Sequence, residues 1–270
     1  MLRSLIAAAG VALLSAGPVP AREAAAELAE VLRLQEVAEI LHDEGLAYGE
    51  SLDADMLGGE GGAFFRQRVE QIYATGPMVE TMRGALADTM TEAQIDQTAQ
   101  FFAGELGQTI LSLENSARRA FSDPEVEETM RDRVEAAGRD DPRIALIGEY
   151  IRTNQLIERN VEGAISSDYS FYRGLADGRQ GRRDDRMMLS DLFSRRDETR
   201  AETEDWLYGF LSLAYQPLSE AEMRENIAFS ASPAGQALNA ALFEGFDRLY
   251  DRISYDLGQA VARAMGASEL

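Results

Sequence analysis

The chain has 270 residues, and its 47 acidic against 26 basic side chains give a formal net charge of −21. Such a surface repels nucleic acid and anionic lipid headgroups. Every basic residue is Arg and Cys is absent, which excludes disulfides, thiol nucleophiles, lysine Schiff bases and phosphate-binding lysine loops, so stability must come from packing.

Met1-Leu2-Arg3 is a short positive start, Ser4 to Gly17 is small and apolar, and Val19-Pro20-Ala21 places small residues where a signal peptidase reads. Residues 1–21 are therefore expected to be a cleaved signal peptide, with the mature chain starting at Arg22 in the periplasm of a Gram-negative cell. No Cys lies near the cleavage point for lipid attachment, and no later stretch reads as a membrane span. Removing Arg3 takes the formal charge from −21 to −22.

The remainder reads as all-α, a helical bundle of two tandem, diverged repeats over residues 22–138 and 139–270. Val31, Leu34, Ala38 and Leu41 recur at three- and four-residue spacing and predict one helical face. Ile144, Ile147 and Ile151 do the same in the middle, as do Leu242, Phe246, Leu249, Ile253 and Leu257 near the C-terminus. Ser122-Asp123-Pro124-Glu125 and Asp141-Pro142 each put a capping residue before a Pro at the first helical position. No sustained alternation of β-branched residues predicts a strand.

Two stretches are alike. FFAGELGQTILS (101–112) and FSASPAGQALNA (229–240) align at an offset of 128 (229 − 101). At that offset Phe65, Arg68, Glu70 and Thr75 meet Phe193, Arg196, Glu198 and Thr203, and TEAQ at Thr91 meets SEAE at Ser219. Thr91 with Gln94 and Ser219 with Glu222 are candidate capping boxes. Ser232-Pro233 is expected to start a fresh helix, whereas Gly104-Glu105 predicts a softer break, down to a simple kink. Phe101, Gly107, Gln108, Phe229, Ser232, Pro233, Gly235 and Gln236 form the structural motif. Each Phe is expected to be buried, and each Gly to lie where another helix passes close by.

A helix ending in an aromatic, then Ser-Pro-x-Gly-Gln and a long amphipathic helix, resembles the DUF2059 family of exported bacterial proteins of uncharacterised function. The resemblance is best over Leu207 to Leu257 and weaker over the earlier copy, which lacks the Ser-Pro. It implies an all-helical exported domain and brings no catalytic residues.

The candidate chemistry is sparse. Glu39 and His42 have the Glu-x-x-His spacing of di-iron bundles, but there is no second His, and no metal or cofactor is assigned. Asp53, Asp55 and Gly58 mimic the start of a calcium loop, but Leu57 and Phe64 stand where oxygen ligands are required, so a Gly-rich turn is expected. Arg173 to Arg200 carries eight Arg against six acids, read as a connector whose Arg side chains pair with neighbouring acidic helices, with an anion-docking loop as the alternative. Tyr169, Phe171, Tyr172 and Trp206 are expected in the core. These observations favour a non-enzymatic periplasmic protein that binds an envelope protein or component. A carrier of an apolar small molecule and a carboxylate-based hydrolase are the alternatives; an enclosed apolar pocket would favour the carrier, two inward carboxylates in a cleft the hydrolase, and a full, dry core the binding protein.

Overall fold

The computed structural model describes residues 21–179 and 185–268. The signal segment lies outside them but for Ala21, as do residues 180–184 of the Arg-rich strip. The described residues form helices alone: α1 (Ala21–Val31), α2 (Leu34–Leu57), α3 (Gly62–Ile72), α4 (Thr75–Thr89), α5 (Glu92–Ala103), α6 (Glu105–Phe121), α7 (Pro124–Ala137), α8 (Pro142–Thr153), α9 (Leu156–Gly178), α10 (Asp185–Ser194), α11 (Arg196–Ala214), α12 (Glu220–Ala231) and α13 (Pro233–Ser268). No helix among them is long and apolar enough to cross a membrane.

The helix starts follow local chemistry. Asp123 accepts from the backbone N–H of Glu125, and Asp141 accepts from those of Arg143 and Ile144, each just before a Pro. Thr91/Gln94 and Ser219/Glu222 both close reciprocal capping boxes. After α2, Gly58, Gly59 and Gly62 take positive φ, and Asp53 Oδ1 accepts from Gly61 N at 2.7 Å. Residues 58–62 are thus the expected turn.

Three expectations are corrected. The stripe from Val31 to Leu41 does not belong to one helix. Leu32 and Arg33 break it, with Arg33 in the left-handed region at φ 55°. The break after α5 is no softer than the one after α12: Gly104 has φ −70°, ψ 165° and Ser232 has φ −69°, ψ 160°. Gly adopts that extended conformation without Pro, and its N–H still closes on Phe101 O at 3.1 Å. Finally, Phe65 is buried while Phe193, its partner at the fixed offset, is 56% exposed and Leu192 takes the interior position. The two positions matched at that offset are therefore unlike in burial.

The core has three parts. Leu28, Ile95 and Phe102 of α1 and α5 pack with Leu238 and Ala241 of α13. Ile147, Leu211 and Met223 of α8, α11 and α12 pack with Ile110 and Ala117 of α6. Helix α13 thus packs on α4 and α5 while running most extensively along α9, and α6 packs on α11. Phe65 and Val69 of α3 pack with Leu249, Ile253 and Leu257 in the third part. Of the four aromatics expected inside, Trp206 stacks on Phe210 at 4.9 Å between ring centroids, but Tyr172 is 41% exposed.

Candidate functional site

The repeated motif builds a clamp at each helix break. Gln108 Nε2 donates to Phe102 O at 2.8 Å and to Val31 O at 3.0 Å. Gln236 Nε2 donates to Ser230 O at 2.7 Å and to Thr153 O at 3.1 Å. Each amide satisfies carbonyls orphaned at the ends of two helices. The second carbonyl in each case precedes a bend with a non-glycine residue at positive φ, Arg33 (55°) or Gln155 (53°). Those two bends stand 122 residues apart (155 − 33), against 128 for the Gly-Gln pairs.

Gly107 and Gly235 are buried, but not against a remote helix. A Cβ on Gly107 would run into Phe101 O and Phe102 Cα, and one on Gly235 into Phe229 O and Ser230 Cα. The close neighbour is the last turn of the preceding helix, folded back across the break. Phe101 and Phe229 are only half-buried and stack on one another, with centroids 4.1 Å apart and planes 6° from parallel. Ser232 Oγ accepts from Gly235 N at 3.1 Å, so Ser232-Pro233 caps and starts α13.

Beside this stacked pair lies a cavity of about 260 Å³. Its lining combines apolar side chains, including Leu34, Phe102, Leu238 and Phe246, with polar ones, including Glu114, Asn115, Tyr150, Asn226 and Ser230. The polar lining was not anticipated from the sequence. Its signal is in the two offsets: Glu114, Asn226 and Ser230 stand 128 residues from Leu242, Thr98 and Phe102, and Tyr150 and Asn154 stand 122 from Leu28 and Leu32. Of these, Leu32, Phe102 and Leu242 line the same cavity on its apolar side.

The Tyr215 hydroxyl, wholly buried, donates to Glu114 Oε1, and Tyr150 and Tyr215 meet edge to face at 5.4 Å. Burial pushes the Glu114 carboxyl above the ordinary carboxylate range, and the Tyr215 bond only partly offsets this. The Tyr150 and Tyr215 phenols are also raised, chiefly by burial and then by Glu114. Arg118, at the cavity edge, is held by Glu44 through two 2.8 Å bonds.

The linkage sign follows. Between the unfolded and folded pKa of Glu114 the native state keeps a proton that the unfolded chain has lost, so this group lowers stability as pH rises through that window. Glu114→Gln is expected to be more stable relative to the parent at pH 7 than at pH 4. Chemical denaturation of both proteins across pH checks this, and a difference independent of pH would refute it.

The other candidates resolve into structure. His42 Nδ1 lies 2.9 Å from Tyr73 O, while Glu39 is exposed and accepts from Gln35. Among the described residues no group of three or more His, Asp or Glu is arranged to hold a metal ion. In the Arg-rich strip Arg200 pairs with Glu158 at 2.7 Å, and Arg173 lies over the Tyr255 ring at 4.9 Å.

Fold and site together define an all-α bundle with an amphipathic cavity beside the stacked aromatic pair. Residues 77–136 match the model of DUF2059, an uncharacterized protein conserved in bacteria. The matched stretch runs from α4 to α7 and contains Thr91, Phe101, Gly107, Gln108 and Glu114. It is the earlier of the two similar segments, not the one over Leu207 to Leu257 where the resemblance reads best by eye. No curated protein and no solved structure matches the chain significantly.

Proposed function

We propose that this chain is an exported, non-enzymatic binding protein of the cell envelope that holds a small, largely apolar molecule in the cavity beside Phe101 and Phe229. The single observation that carries the reading is that cavity. It is a half-open cleft whose volume of about 260 Å³ approaches the lower end of ligand pockets, and its lining is richer in apolar side chains than that of the other clefts. The reading also takes residues 22–138 and 139–270 as two diverged copies of one unit, with Phe101, Gly107, Gln108, Phe229, Ser232, Pro233, Gly235 and Gln236 as equivalent structural points. The matching clamps and bends support that duplication. Docking to another envelope protein is the second reading, and the cavity favours a ligand over it.

Two measurements test the proposal. Ligand-observed NMR with propylbenzene should detect binding that Leu242→Trp, which fills the cavity, abolishes. No binding by the parent, or binding indifferent to Leu242→Trp, overturns the carrier reading. For export, fractionation and N-terminal sequencing of the native protein should find Arg22 first in the periplasm. Intact Met1 in the cytoplasm overturns it.

A further inference from the structure

Asn226 on α12 is 2% exposed and lines the cavity, and its Nδ2 has no hydrogen-bond partner. A buried donor without a partner carries its full desolvation cost, so its presence calls for an acceptor supplied from the cavity. Asn115 Nδ2, on the same lining, is a second unpaired donor, and acceptors stand near both. Glu114 offers carboxyl oxygens beyond the one that Tyr215 holds, and Ser230 and Tyr150 offer hydroxyls.

We infer that the occupant is an uncharged amphiphile of about ten non-hydrogen atoms, whose hydroxyl or carboxamide head accepts from Asn226 and donates to an oxygen of this lining. Its hydrocarbon body lies against Leu34, Phe102, Leu238 and Phe246. This inference rests on the carrier reading above and adds the head group to it. The size follows from the volume, which equals on the order of nine waters of liquid.

The charge follows from the lining. An anionic head would need a free cation, but Arg118, the one cation lining this cavity, is taken up bidentately by Glu44. A cationic head has no acceptor to give the Asn226 N–H and would require an ionised Glu114, against its burial. A head with both a donor and an acceptor meets both demands.

The test uses four probes of nearly equal size: 2-phenylethanol, propylbenzene, phenethylamine and phenylacetate. Their affinities for the mature protein are measured by titration calorimetry and ligand-observed NMR. The alcohol is expected to bind on the order of tenfold more tightly than propylbenzene, the worth of about one neutral hydrogen bond to a group otherwise unpaired. Both charged probes should bind more weakly than the alcohol. Asn226→Leu should bring alcohol and hydrocarbon to within about twofold, and Ser230→Ala provides a second, smaller truncation of the same lining if Asn226→Leu fails to fold. Propylbenzene binding as tightly as the alcohol overturns the head-group inference and leaves the carrier reading standing, as does preference for the amine or the acid. Binding by none of the four overturns both.

Discussion

Gly235→Leu and Gly107→Leu are expected to lower the melting midpoint of the mature protein, each by on the order of 5–10 °C. At both positions the added Cβ meets backbone atoms of the preceding helix, Phe229 O or Phe101 O, and not the end of a side chain that could swing aside. Relief requires moving α12 relative to α13, or α5 relative to α6. That movement strains the Gln236 and Gln108 clamps and the Phe101–Phe229 stack. Gly84, in the middle of α4 with open space around it, is the control. Gly84→Ala should recover up to about 1 kcal/mol of helix propensity and raise the midpoint. Thermal denaturation of the three variants decides the matter. A raised midpoint in both Leu variants would sink the structural reading of the motif.

A second large effect is expected where α9 crosses α13. A Cβ on Gly174 would collide with Tyr255 O, and one on Gly258 with Phe171 O and Leu175 N. The two helices therefore meet backbone to backbone, each through the glycine of the other's contact. Gly174→Leu must push the helices apart and loosen Phe171 and Leu175 from Leu257 and Val261. A cost of about 3 kcal/mol is expected, the upper end for overpacking because neither backbone can yield. Combining it with Gly258→Leu should add less than the second variant alone, since both changes break one crossing. Urea denaturation checks both statements. Full additivity would show that the two glycines serve separate contacts.

What the sequence determined by itself is local. Thr91, Asp123, Asp141 and Ser219 start their helices because a side-chain oxygen next to free backbone N–H groups acts within one turn. The all-α class followed from three- and four-residue periodicity, and the two Gly-Gln segments stood out because a fixed offset needs no structure to be seen. Only the tertiary structure decided the rest. Arg33 enters the left-handed region inside an apparently continuous stripe, at a bend whose Val31 carbonyl is held by Gln108, 77 residues away. Gly107 and Gly235 looked like contacts for a passing helix and instead receive the helix end just before them, because the chain doubles back at Gly104 and Ser232. Glu114, Tyr150 and Asn226 read as ordinary polar residues of helices, since periodicity cannot distinguish a solvent face from the lining of a cleft between helices. They share a lining because α6 packs on α11 while α13 packs on α4 and α5. That packing is set by which apolar faces fit together across more than a hundred residues, and no local pattern carries it.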